Sequence, residues 1–425
     1  MCTGASVTKA ISKSRDIISP GCKSPNGFNA EGLMLVDTFW TYFWRQDRRV
    51  FAAKYSSAET IIALEAVVEA EQSAQGRYTK KLTAAFNAVE RYKNPRYGAY
   101  CAWHNFAGND DIYFDDNAQV AIAQIAAYRL TQEEVYLERA REVIRFIRTG
   151  WDHYRGGVRW HLRTSGPPYT SRNTCSTVLT ALACLRLAQL GAIDEQLRQS
   201  SISFAEKAVH WTIDGLKSDE CLIMDGFSEH DGCFRIDRTT YTYNTGMTIL
   251  ALSLIYSMRP SDQIRLWAIE LATAAVDHSK GLFDLSVRNT EVRYWWDSTF
   301  FTHLLVEGLL AFLDVFGQDI DAQLTSRIAS EVRREMKYMV DYLKDKSDGL
   351  YFRNLRLYVI GDTQLSQYKL LTGDENRELR ADGSERVDGS KEAADRKLTK
   401  TLLGNGGAAR GLLIAARLED DRSFK

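Results

Sequence analysis

The run Asn117-Ala118-Gln119-Val120-Ala121-Ile122-Ala123-Gln124-Ile125-Ala126-Ala127-Tyr128-Arg129-Leu130 is apolar on almost every side of a helix. After the short link Thr131-Gln132-Glu133 the pattern changes. From Glu134 to Thr149, Leu137, Ala140, Val143, Ile144 and Ile147 form one stripe, and Glu138, Arg139, Arg141, Glu142, Arg145 and Arg148 cover the rest. A helix that is apolar all round must be covered all round, whereas a one-striped helix keeps a face in water. A three-residue link makes the two antiparallel neighbours. The unit is an inner helix backed by an outer one.

The same order recurs along the chain. Inner-type segments at Thr174–Leu190, Thr245–Tyr256 and Thr299–Phe316 are followed by outer-type segments at Glu195–Trp211, Gln263–Asp277 and Gln323–Lys344. An earlier pair covers 57–74 and 77–93. A last inner helix is expected at Leu412–Arg417, after Gly404-Asn405-Gly406-Gly407, with a helix around Met34–Trp44 as its partner. Six hairpins that close in a ring would cover every inner helix, so the expected fold is all-α, an (α/α)6 toroid. An open solenoid would instead expose an apolar concave wall.

Composition agrees with a single globular unit. The 425 residues are 45% hydrophobic and 26% charged, and the 54 Lys and Arg nearly cancel the 55 Asp and Glu. That balance sets aside intrinsic disorder, a membrane-spanning chain and a nucleic-acid partner, which needs a basic footprint. With 6 Pro and no linker rich in Gly, Ser or Pro, one domain spanning 1–425 is expected. Residues 1–30 read as a loosely ordered extension, and 362–400, where the apolar period fades among charges, as a polar surface excursion. The N-terminus as written carries no apolar signal core, the C-terminus no anchor tail, and no Asn-x-Ser/Thr site occurs. These point to a cytoplasmic protein, or a secreted one if the natural N-terminus is longer. Seven Cys form no CxxC pair; in an oxidising setting Cys221 and Cys233 would be the pair to bridge. Oligomeric state is not legible.

The long links all lead into inner helices, so a ring gathers them on one face, which should be the working one. They are rich in Gly and aromatics: Arg96 to His104, containing Trp103; Trp151 to Trp160; and a third ending in Trp295-Trp296. Aromatic faces beside polar groups suit sugar rings, and equally an apolar small molecule. Among the seven His no HxxxH pair occurs, and there is no phosphate-binding Gly loop; His104 and His153 read as hydrogen-bonding loop residues.

Asp115-Asp116 stands where such a link meets the first fully apolar helix. Capping and the helix dipole explain one Asp there. A second on the same turn brings like-charge repulsion, which separates the two pKa values into an acid and a base. Neighbouring carboxylates can sit about 5 Å apart, the separation of retaining glycosidases.

Tyr113-Phe114-Asp115-Asp116-Asn117-Ala118, the turn Gly156-Gly157-Val158-Arg159-Trp160, Arg172-Asn173-Thr174 and Tyr241-Thr242-Tyr243-Asn244-Thr245-Gly246 follow one another as in glycoside hydrolase family 76, which the chain resembles from about 60 to 415. That family comprises α-1,6-mannanases and fungal cell-wall transglycosylases. The resemblance implies a toroid acting with retention on α-1,6-linked mannosides, without metal or other cofactor, with Asp115 as nucleophile and Asp116 as acid/base. It matches Asn173, Tyr243 and Asn244 to the substrate cleft, beside the aromatic candidates Trp103, Trp160 and Trp296. Helix capping by the two Asn, and rim packing by Tyr243 and Trp160, are the competing explanations.

The chain departs from the family pattern at Gln119, Arg159 and Thr245, and where Trp296-Asp297-Ser298 replaces a Lys-Gly pair. Two other functions therefore stay open. One is an intracellular biosynthetic enzyme using the acid pair for cyclisation, elimination or rearrangement of another metabolite; the other is a non-catalytic carbohydrate-binding protein. In each case the partner is a small molecule or oligosaccharide.

Overall fold

The computed structural model describes residues 27–420, apart from 53–55, 105, 165–169, 231–232 and 388. The first helices in chain order are α1 (Phe28–Phe43), α2 (Ser57–Ser73), α3 (Thr79–Val89), α4 (Phe114–Thr131), α5 (Glu134–Arg148), α6 (Thr174–Ala188) and α7 (Glu195–Leu216). They are followed by α8 (Thr242–Met258), α9 (Asp262–Ala275), α10 (Thr299–Phe316), α11 (Ala322–Tyr338), α12 (Asp362–Thr372) and α13 (Leu402–Ala415). Three small antiparallel sheets decorate the links: β1 (Trp44–Arg45) with β2 (Val50–Phe51), β3 (Lys93–Asn94) with β4 (Ala99–Tyr100), and β5 (Arg172–Asn173) with β6 (Gly226–His230) and β7 (Cys233–Asp237).

The inner helices α2, α4, α6, α8, α10 and α13 each pack on the next, and α13 packs back on α2, so the ring closes. Partners α3, α5, α7, α9, α11 and α1 lie outside it. Closure explains the composition: α6 and α8 are buried almost from end to end, whereas α5 buries only its Leu137, Ala140, Val143, Ile144 and Ile147 side together with Tyr136 and Phe146. The helix Thr299–Phe316 is long and apolar enough to cross a membrane, and 67% of it is buried inside the fold.

Glycine sets two of the tightest contacts in the ring. A Cβ on Gly308 of α10 would lie 2.1 Å from the Gly246 carbonyl oxygen of α8, and one on Gly407 of α13 would lie 2.4 Å from Phe300 Cα. The second contact corrects the sequence reading of the last inner helix. It begins at Leu402, ten residues before the expected Leu412, because Gly406 and Gly407 serve close helix approach, and Gly404 close approach of the link at Arg353, instead of forming a loop.

Two matching clamps tie links to inner helices. Asn117 accepts from the Tyr100 amide (2.6 Å) and donates to its carbonyl (2.9 Å), and Asn405 does the same to Tyr351 (2.8 and 3.2 Å). The side-chain amide satisfies backbone groups that no helix or sheet reaches. It also locks the Asp115-Asp116 turn against the link carrying Trp103.

The segments outside the periodic pattern take shape here too. Helix α1 starts at Phe28, so 28–30 are helical, and 1–26 lie outside the described residues. Within 362–400, α12 forms, Tyr368 is buried, and Glu385 is fully buried, accepting from the Asn354 amide (2.7 Å). Buried anchors such as Tyr368, Glu385 and Arg386 hold a polar segment against the ring, which periodicity does not register. Cys221 and Cys233 are unbridged, and the latter is exposed.

Candidate active site

Asp115 and Asp116 form the first turn of α4, on the face where the inner helices begin. Neither caps that helix: its N-cap is Tyr113, with no side-chain cap bond. The two carboxyls meet different surroundings. Asp115 accepts from Trp160 Nε1 (3.0 Å) and Cys175 Sγ (3.3 Å) at Oδ2, and from the Asp116 amide (3.0 Å) at Oδ1. Asp116 receives one side-chain donor, Ser57 Oγ at 3.1 Å from its Oδ2.

Burial raises the pKa of both acids. For Asp115, the Cys175, Asp116 amide and Trp160 bonds oppose that rise. For Asp116, desolvation and the neighbouring Asp115 charge act together and push it up to about 8, with Ser57 opposing weakly. The two acids are thus treated unequally: three donors favour the charged form of Asp115, whereas Asp116, pushed up to about 8, holds its proton at neutral pH.

Trp160 is thus a donor to Asp115 as well as a wall residue, lying edge-on to Tyr113 at 4.9 Å between centroids. Trp103 is half exposed on the rim, next to Ala102, whose carbonyl accepts from the Ser57 amide at 2.8 Å. Trp296 is partly buried, donates to the Gly281 carbonyl (2.7 Å), and tilts against Tyr241. Of the loop histidines, His104 packs against Tyr92 and His153 is exposed; among the described residues, neither bonds to the acid pair.

A third acid, Asp225, escapes the sequence reading. It accepts from Tyr243 Oη (2.7 Å) and Asn244 Nδ2 (3.2 Å) at Oδ1, and from Asn173 Nδ2 (3.0 Å) at Oδ2. Asn173 and Asn244 therefore do not spend their side chains on helix capping: both amides converge on Asp225, and both Oδ1 atoms remain buried without a partner among the described residues. Burial pushes the Asp225 pKa up, against these three donors.

The backbone places Asp225 from several sides. Thr174 donates its amide to the Asp225 carbonyl (2.7 Å) and its hydroxyl to the Met224 carbonyl (2.7 Å), while Thr245 Oγ1 accepts from the Ile223 amide (3.1 Å). Thr245, one of the departures noted above, thus supports the Asp225 loop. Asp297, another, bridges two helix starts, accepting from the Thr242 amide (2.9 Å) and the Ser298 amide (2.8 Å). The only sequence cue to Asp225 is its place ahead of Gly226 and a hairpin, which is weak.

Both the sequence and the fold match known proteins. The model of glycosyl hydrolase family 76 matches residues 31–356. The meiotically up-regulated gene 191 protein of Schizosaccharomyces pombe is 34% identical, over 93% of each chain. The mannan endo-1,6-alpha-mannosidase DCW1 of Saccharomyces cerevisiae is 27% identical over 38% of this chain and 35% of its own. Among solved structures, an inactive variant of the α-1,6-mannanase of Salegentibacter sp., with two adjacent aspartates replaced by asparagine and α-1,6-mannotriose bound, superposes with a TM-score of 0.68. It is 17% identical, over 92% of this chain and 99% of that one. The toroid, the acid pair opening its second inner helix and the family match agree: this chain belongs to glycosyl hydrolase family 76.

Proposed function

We propose that the chain hydrolyses or transfers α-1,6-linked mannosides with retention of anomeric configuration. The observation that carries this reading is the unequal treatment of two adjacent acids: three donors on Asp115, one on Asp116. Asp115 attacks the anomeric carbon as the glycosidic C–O bond breaks, and the Asp116 proton passes to the departing oxygen. Asp116, now ionised, takes a proton from water or a sugar hydroxyl, whose oxygen displaces Asp115. The mannotriose-bound relative, inactive with its aspartate pair removed, supports the choice of linkage and residues. Asn173 and Asn244, with free acceptor oxygens beside Asp225, are suited to receive hydroxyls of the sugar next to the acid pair.

The test is the product profile from α-1,6-mannan oligosaccharides, with the anomer of the first product read by NMR. Shorter or rearranged mannosides with retained configuration are expected; an inverted first product rules out Asp115 as nucleophile. Because Asp116 must be protonated to act, kcat/KM should fall as pH rises through about 8, the value to which its pKa is pushed. A profile flat to pH 10 excludes Asp116 as the acid.

Cys175 should act through Asp115. Its thiol stabilises the ionised carboxylate, so Cys175→Ala should lower turnover by about 5-fold, as for one modest bond to a charged group. It should also move the acidic limb of the pH profile to higher pH. Cys175→Ser, which keeps a donor, should restore both; an unmoved limb in the Ala variant excludes this role.

A further inference from the structure

Six arginines among the described residues have a buried Nε without an acceptor: Arg139, Arg141, Arg353, Arg356, Arg386 and Arg410. Four of them bond through another guanidinium nitrogen, to Glu142, to the Ala192 carbonyl, to the Val359 carbonyl and to Glu307 respectively. Arg353 and Arg356 do not. Among the described residues, neither guanidinium has an ion-pair or hydrogen-bond partner. An unpaired, partly buried guanidinium is costly, and a partner for it is expected.

Both side chains lie against an aromatic wall at the start of α10, on the face where the inner helices begin. Arg353 sits over Phe300 (5.4 Å to the centroid) and Arg356 over Trp296 (5.3 Å). Ring faces attract a cation but accept no ordinary hydrogen bond. The wall runs on to the Asp225 cluster: Phe300 packs on Phe301 (3.8 Å), and Phe301 on Tyr243 (4.4 Å), which donates to Asp225. Arg353 also stands where two inner helices begin, its carbonyl accepting from the Thr299 amide (2.7 Å) and its Cβ close to Gly404.

The nearest carboxylates are committed elsewhere. Asp297 receives the Thr242 and Ser298 amides, and Glu385 receives the Asn354 amide. They feel the charge of Arg356 and Arg353 respectively without forming an ion pair with either.

Resting on the reading of the site as a mannoside cleft, we propose that Arg353 and Arg356 form a subsite for an oxyanion carried by the saccharide. A phosphoryl or carboxylate group would pair with the two guanidiniums while its sugar ring lies along Trp296 and Phe300. The chain would then prefer acidic over neutral mannosides, with the acid pair unchanged.

The test is binding to the Asp115→Asn/Asp116→Asn protein, which reads the subsite whether or not the native protein turns mannosides over. The probes are α-1,6-mannotriose, the same trisaccharide bearing a 6-phosphate, and one ending in a uronic acid. Acidic trisaccharides should bind about 10-fold tighter than the neutral one at low salt, the worth of one charge-assisted bond. The preference should shrink at raised salt and vanish in a protein that also carries Arg353→Gln and Arg356→Gln. Preference for the phosphate alone, or the uronate alone, identifies the oxyanion. Equal binding of acidic and neutral probes overturns the proposal, and that comparison needs no arginine variant to fold. A preference that survives both substitutions in a folded protein overturns it as well. Failure of the mannosidase reading shows separately, as absence of product with the native acid pair.

Discussion

Asp115→Asn is expected to lower turnover by about 10,000-fold or more on every mannoside, because the amide cannot form the glycosyl–enzyme bond. Asp116→Asn is expected to behave differently. With an ordinary sugar leaving group, loss of the acid should cost about 100- to 10,000-fold. With a 4-nitrophenyl leaving group, which departs without a proton, the first step should be nearly restored, and the fall above pH 8 should disappear. Neither variant should unfold the protein, since an amide of the same shape replaces a carboxyl whose charged form burial disfavours. Unchanged turnover in both folded variants would end the assignment, and equal losses on both leaving groups would end the division of roles.

The second large effect lies down the axis of the ring. Arg410, on α13, is nearly fully buried and pairs with Glu307 on α10 (2.7 Å), with Glu65 (3.8 Å) and Glu69 (3.7 Å) of α2 in reach. It also bonds His303 Nδ1 (2.7 Å), and Glu307 has a second partner in Arg186 of α6 (2.8 Å). Arg410→Met should destabilise the protein by about 3–5 kcal/mol, the cost of leaving buried carboxylates without their cation. Denaturant unfolding of both proteins measures it; a loss below about 1 kcal/mol would show that water or Arg186 already compensates the acids.

Glu65 gives the same cluster a pH signature. Burial, opposed by Arg410, raises its pKa to about 7. A carboxyl with a raised folded pKa binds more protons folded than unfolded, so its contribution to stability falls as pH rises from the unfolded value toward 7 and then levels off. Glu65→Gln should therefore gain stability relative to the native protein across that window. A constant difference between the two from pH 4 to 8 would show that Glu65 does not titrate there.

Much of this molecule was legible in one dimension. The alternation of all-round and one-striped helices specifies which faces need cover, and short links specify neighbours, so six hairpins and a ring follow from period and link length. The adjacent acids were visible because their neighbours in sequence are their neighbours on a helix turn. The start of α13 was misread because glycine in a sequence reports conformational freedom and in a ring reports close approach, and only the facing helix distinguishes them.

The division of labour within the site belongs to the tertiary structure. Cys175 reaches Asp115 across 60 positions, Asn173 reaches Asp225 across 52, and Trp160 reaches Asp115 across 45. Those meetings exist because ring closure brings separate helix starts to one face, where burial and donors set the charge of each acid. The sequence by itself determined the helices, their order and the acid pair, since these are local patterns. Which acid holds the proton, what surrounds Asp225 and which arginines lack a partner were decided by the closed ring, since electrostatics depends on distances that no linear spacing contains.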